Sequence, residues 1–172
     1  MLQAVRGEET VPTNPSEFSR LFNQYQGLIF RTAYRVTGNA ADAEDVLQTV
    51  FVRLMARQAD PDLHNEDSYF RRAAVNAAID VIRSRRSDEP AAEHHQDFKA
   101  QHSRELRECL RRAFARLTPR AAEVFALRHF EDFTNGQIAD ALNMSPVLVA
   151  VTLHRARRQL QKEIGQYFGG KR

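Results

Sequence analysis

The chain has a single cysteine, Cys109, among its 172 residues. It can therefore form no internal disulfide, and it lacks the thiolates of a structural zinc site, as suits a reducing compartment. No run of about 20 apolar residues is present to cross a bilayer. Residues 1–15 lack the basic start and apolar centre of a signal peptide. Strand-like alternation is absent, as are a Gly-rich phosphate loop, a nucleophile elbow and a paired-carboxylate motif. His94, His95 and His102, taken with Cys109, follow no standard ligand spacing. The expectation is a cytoplasmic protein without membrane insertion, not an enzyme, with no metal or cofactor.

What the chain does have is unevenly placed charge. The net charge is only +3, but distribution matters more than the total for a nucleic-acid partner. Arg71, Arg72, Arg83, Arg85 and Arg86 face one acid, Asp80, over residues 71–86. Arg155, Arg157, Arg158 and Lys162 follow His154 without an acid among them. The acids gather at Asp42, Glu44 and Asp45, and again at Asp88, Glu89, Glu93 and Asp97. Such separation points to one surface for phosphates and another for a different partner. The plain alternative for either basic cluster is a solvated helix end.

Apolar residues recur at helical spacing. Phe18, Leu21, Phe22, Tyr25, Leu28, Ile29 and Ala33 predict a helix over 17–36, stopped by Thr37-Gly38-Asn39. A second helix over 40–57 carries Val46, Val50 and Leu54 in one row and Leu47, Phe51 and Met55 in the next, with acids in its first turn where the helix dipole favours them. A third runs over 68–84 through Phe70, Ala74, Ala77, Ala78, Val81 and Ile82. Residues 87–102 hold almost no large apolar side chain and read as a flexible linker. Beyond it, 103–117 reads as a packed helix that includes Leu106, Cys109 and Leu110. Thr118-Pro119 opens another with Val124, Phe125, Leu127, Phe130 and Phe133 as its apolar face.

The firmest motif follows. Thr134 caps a short helix with Gln137 at the third helical position, a capping box. Asn143-Met144 makes a tight turn, and Ser145-Pro146 opens a new helix whose Val149, Leu153, Ala156, Leu160 and Ile164 keep a core face. Two helices so closely joined must cross steeply, as in a helix-turn-helix whose second helix enters the major groove. The opposite face offers Thr152, Arg155, Arg158 and Gln159 to solvent or DNA. An ordinary helical hairpin with a basic end is the alternative from pattern alone.

Four segments in order resemble the extracytoplasmic-function (ECF) group of bacterial sigma-70-type RNA polymerase sigma factors over residues 17–163. Ala41-Asp-Ala-Glu-Asp-Val-Leu-Gln48 with Phe51 is similar to the family's polymerase-binding helix, and Tyr69-Phe-Arg-Arg-Ala-Ala-Val-Asn76-Ala-Ala-Ile-Asp80 to its helix facing the minus-ten element. The stretch from Leu117 to Arg128 and Leu153-His-Arg-Ala-Arg157 are similar to the start and end of region four.

The resemblance implies an all-α fold of two small helical domains joined by a flexible linker, the C-terminal one a helix-turn-helix. It implies a disordered extension over 1–15, region two over 16–86, the linker over 87–102 and region four over 103–167. The implied partners are core RNA polymerase, promoter DNA and an anti-sigma factor. Asp42, Glu44, Asp45, Val46, Gln48 and Phe51 would bind polymerase. His64, Asn65, Tyr69, Arg71, Arg72, Asn76, Arg83, Arg85 and Arg86 would meet the minus-ten element, although the loop before Tyr69 is acidic. Thr134, Gln137, Ser145, Leu148, Val151, Thr152, Arg155, Arg157 and Arg158 would meet the minus-thirty-five element. In that helix the chain departs from the family, with apolar Leu148 and Val151 where polar residues are usual. They can touch thymine methyls but cannot read guanine as arginine does. Two other readings stand beside this one: a stand-alone helix-turn-helix regulator with a helical dimerisation domain, and a sigma-mimicking adaptor, which would not need the DNA-facing arginines.

Overall fold

The computed structural model describes residues 15–56, 65–85 and 98–169, and these form seven α-helices with no strand among them. The N-terminal extension and most of the expected linker lie outside the described residues. Helices α1 (Pro15–Thr37), α2 (Ala40–Ala56) and α3 (Glu66–Arg85) form the first domain. Their rows of apolar residues close a core of Leu21, Ile29 and Ala33, Val46, Val50, Phe51 and Leu54, and Phe70, Ala74 and Ala78. Phe70 is fully buried, stacked on Tyr25 with ring centroids 4.4 Å apart.

Local chemistry sets the turns. Gly38 takes φ +68°, a conformation that costs other residues more than glycine, and so ends α1. Asn39 then caps α2 by accepting the Asp42 N–H at 3.2 Å. At the start of α3, Asn65 accepts the Ser68 N–H at 2.9 Å. Glu66 is held there by Arg20 at 2.8 Å and by the Tyr25 hydroxyl, which donates at 2.9 Å. The Arg20 hydrogen bond holds the Glu66 carboxyl below the usual carboxylate range, against the opposing effect of burial. A lowered folded-state value stabilises the fold above the unfolded pKa, about 4.3, and that stability is lost as pH falls through the folded value. Glu66→Gln is therefore expected to lower the urea midpoint modestly at pH 7, with the deficit shrinking as the titration is repeated from pH 5 downward. A deficit independent of pH would show that the charge of Glu66 is not what matters.

The second domain comprises α4 (Phe98–Ala115), α5 (Pro119–His129), α6 (Asn135–Leu142) and α7 (Pro146–Gly169). Thr118 caps α5, its hydroxyl accepting the Ala121 N–H at 3.2 Å. Two expectations need correction here. Helix α4 begins at Phe98, five residues before the expected start at 103, so the linker is shorter than its composition implied. Leu106 and Leu110, expected to pack, are exposed, and among the α4 side chains described Cys109, Ala113, Phe114 and Ala115 reach the core.

Neither domain stands apart. Val75, Ile79 and Ile82 on the second face of α3 enter the same core as Ala122, Leu127, Ile138, Leu142 and Leu153. One helix thus serves two cores, its Phe70–Ala74–Ala78 side closing the first and its Val75–Ile79–Ile82 side the second. This explains why α3 has little one-sided polarity: it carries two apolar faces, with its polar residues set between them.

Candidate nucleic-acid interface

The helix-turn-helix is built as its sequence dictates. Thr134 accepts the Gln137 N–H at 3.2 Å, and the Gln137 side chain accepts the Thr134 N–H at 2.8 Å. The two bonds satisfy donors that a helix start otherwise leaves open. Asn143 closes α6 at φ 51°, a left-handed position asparagine tolerates, and Ser145 caps α7 by accepting the Leu148 N–H at 3.2 Å. Helices α6 and α7 meet at 106°, within the usual range for this motif. Thr134, Gln137 and Ser145 therefore already have structural tasks. Thr134→Ala should cost about 1 kcal/mol in thermal or chemical unfolding, and an unchanged midpoint would contradict the capping role.

Val149, Leu153, Ala156 and Leu160 anchor α7 in the core. The face turned outward is apolar at its start, with Val147 73%, Leu148 50% and Val151 39% exposed. Val147 was not among the residues singled out from the sequence, yet it precedes Val151 by one helical turn and shares its face. Further along, His154, Arg155, Arg157 and Arg158 are exposed, while Thr152 is half-buried. Arg157 is steered by His129, whose Nε2 lies 3.4 Å from the donating Nε. Burial, then Arg157 and Arg128, keeps the His129 imidazole below its usual pKa, so a lone pair is available to accept. Gln159, expected on the open face, instead donates to the Arg116 carbonyl at 3.0 Å and braces α7 against the end of α4.

On α2 the three acids divide. Glu44, Asp45 and Gln48 are exposed, and with Val52 and Met55 they make the outer surface of the helix. Asp42 is buried and ion-paired with Arg85. Desolvation raises its carboxyl above the usual range, with Arg85 opposing. Val46 and Phe51 belong to the core. The expectation that Asp42, Val46 and Phe51 lie on a docking surface is corrected: the helical phase that turns Asp45 outward turns these three in.

Arg72 of α3 and Arg53 of α2 border a groove of about 580 Å³ lined also by Val50, Ala56, Tyr69, Ala73 and Asn76. Tyr69 meets Phe70 edge-on at 5.2 Å and is half-buried. The arginines expected to be free for DNA are not free. Arg71 pairs with Asp67 at 2.7 Å and with Glu131, Arg72 with Glu123 at 3.5 Å, and Arg85 with Asp42. Asn76 donates to Glu123 at 3.0 Å, and Arg83 donates to the Leu117 carbonyl at 2.6 Å. Asn65 spends its side chain on the α3 cap. His64 and Arg86 lie outside the described residues.

A helix-turn-helix with a basic outer helix, beside a second helical domain with an arginine-lined groove, defines a two-domain DNA-binding protein. Residues 21–88 match the Sigma-70 region 2 family and residues 107–160 the Sigma-70, region 4 family. The chain is 32% identical over 152 residues to an RNA polymerase sigma-E factor of Streptomyces antibioticus, the alignment covering 86% of this chain and 84% of that one. It is 24% identical over 165 residues to the ECF RNA polymerase sigma factor SigW of Bacillus subtilis, covering 86% and 88%. The chain belongs to the ECF group of sigma-70-type RNA polymerase sigma factors. The fold agrees with that of CnrH in its complex with the cytosolic domain of CnrY, at a TM-score of 0.54 and 18% identity over 90% of this chain and 91% of that one. It agrees also with RpoE of Bartonella quintana in complex with the anti-sigma factor NepR, at a TM-score of 0.51 and 16% identity over 87% and 97%.

Proposed function

We propose that this chain is an alternative sigma factor that binds core RNA polymerase, recognises promoter minus-ten and minus-thirty-five elements and starts transcription, without catalysing a reaction itself. The observation that carries this is the pairing of two family regions, 21–88 and 107–160, in one chain, with an outward acidic face on α2. A stand-alone regulator would have no use for that face. The first domain is assigned to region two and the second, from Phe98 of α4 onward, to region four, and the site of action is the cytoplasm. An anti-sigma factor is the partner expected to hold the chain inactive, as NepR accompanies RpoE in the Bartonella complex. Run-off transcription with core polymerase and a genomic promoter library tests the reading. Transcripts with a shared upstream motif support it, and sequence-specific DNA binding without any polymerase-dependent transcript refutes it.

Within region two, Glu44, Asp45 and Gln48 with Val52 and Met55 form the polymerase face. Tyr69, Arg72 and Asn76 line the groove for the minus-ten strand, where basic side chains track phosphates and aromatic ones stack on bases. Within region four, Arg155, Arg157 and Arg158 hold phosphates, which positions the helix without reading sequence. Val147, Leu148 and Val151 meet thymine methyls, so base reading leans towards A·T pairs. Arg157→Ala should weaken binding to all duplexes about equally and reduce the slope of log affinity against log salt by about 1. A changed sequence preference at unchanged affinity would overturn this division of labour.

A further inference from the structure

His129, in the last turn of α5, is exposed and stands against an arginine of the outer helix of the helix-turn-helix. Its ring lies against Phe125 with centroids 4.4 Å apart, which fixes the edge that looks towards α7. Across that edge Nε2 lies 3.4 Å from Nε and 3.3 Å from Nη2 of Arg157. Arg157 is exposed as well, on the flank of α7 between the buried Ala156 and the outward Arg158. Nitrogens so close together and both open to solvent are within the span of a single phosphate, whose oxygens can accept from each.

The charge around the imidazole is mostly positive. Arg157 on α7 and Arg128 on α5 oppose a proton there, Asp132 in the following turn favours one, and α4 presents the uncharged Phe114 ring to Phe125. Glu131, two residues on, is fully buried and taken up by Arg35 and Arg71. The free chain therefore holds His129 neutral at pH 7, as an acceptor for Arg157. A backbone phosphate reverses that balance. It takes the guanidinium for itself and sets an opposite charge beside the ring, which raises a basic group's pKa by about 1 or more. We propose that His129 and Arg157 together form a site for one backbone phosphate of the duplex, His129 taking a proton from solvent as DNA binds and donating to the phosphate through Nε2. The inference rests on the reading of α7 as the minus-thirty-five helix, and it gives α5 a DNA contact of its own. Because the bound ring holds its proton more tightly than the free one, affinity rises as pH falls through the bound-state value and levels off below the free-state one. Arginine contacts alone do not titrate in this range.

The full chain without polymerase is measured by fluorescence anisotropy on a labelled A·T-rich duplex, at fixed ionic strength between pH 8 and pH 5.5. The unmodified chain is expected to bind about fivefold tighter at the acid end, as one proton taken up on binding allows. His129→Gln is expected to lose that gain and, at pH 5.5, to show a slope of log affinity against log salt smaller by about 1. In a His154→Gln background, which removes the exposed histidine of α7, the difference made by His129→Gln is expected to persist. NMR titration of the His129 ring in the unmodified chain, where no substitution can disturb the fold, should show its pKa rising when the duplex is added. A ring titration unmoved by DNA overturns the site. So does a His129→Gln chain that keeps the pH dependence, or one weakened equally at every pH, which is a structural effect. Arg157→Ala tests the underlying reading separately. Binding that falls in Arg157→Ala but carries no proton linkage refutes the His129 site alone, and binding that Arg157→Ala leaves unchanged at every pH removes the phosphate role of this flank of α7 as well.

Discussion

Asp45→Arg is expected to abolish co-purification with core RNA polymerase and to cut run-off transcription by at least tenfold while leaving the helical circular dichroism unchanged. Asp45 is exposed in the acidic start of α2, next to Glu44 and close to Gln48, whereas the opposite side of the same helix is locked into the core through Val46, Val50 and Leu54. Reversing its charge therefore alters a surface and nothing beneath it. The interaction lost would be electrostatic complementarity with a basic surface, and juxtaposed like charges cost several kcal/mol. Asp42→Arg makes the informative comparison. That carboxylate is buried and paired with Arg85, so its reversal should damage the fold first, because an uncompensated charge in a buried site is costly. An Asp45→Arg protein that still carries polymerase through purification would remove α2 from the docking surface.

Phe70→Ala should be the most destabilising single substitution in the first domain, at about 3 to 5 kcal/mol. The ring has no exposed surface and lies 4.4 Å from Tyr25, 6.0 Å from Phe51 and 5.2 Å from Tyr69, so three helices lose contacts at once. Against a total stability of about 5 to 15 kcal/mol for an ordinary domain, the loss leaves little in reserve. Urea unfolding followed by circular dichroism reads it directly. A change under about 1 kcal/mol would mean that the neighbouring side chains collapse into the space, contrary to the tight aromatic packing.

Much of this was legible in the chain because the signals are local. The spacing of Leu21, Tyr25, Leu28 and Ile29 fixed α1, and Thr134 with Gln137, followed by Ser145-Pro146, fixed both starts of the helix-turn-helix. The misplacement of Asp42 was avoidable: carrying the row Val46, Val50, Leu54 back by four residues lands on it. A carboxylate in a first turn is ordinarily exposed, and that prior hid the geometry. The partners of Glu123 and Glu131 were not legible at all. Glu123 reads as a lone acid in a largely apolar helix and Glu131 as one of an adjacent acidic pair with Asp132, and nothing local connects either to arginines on a helix from the other half of the chain. The second apolar face of α3 was present in the sequence as Val75, Ile79 and Ile82, but a helix in which alanine is the commonest apolar residue does not announce that it serves two cores.

The buried position of Cys109 carries a further consequence. Its thiol is 4% exposed, and desolvation pushes its pKa up, so it is both shielded and held protonated. Oxidation to a sulfenate or attack on a disulfide requires an accessible thiolate. Peroxide and mild disulfide reagents should thus leave this thiol unchanged, and any oxidative signal that controls transcription through cysteine chemistry must be sensed by another protein and delivered to this one by association.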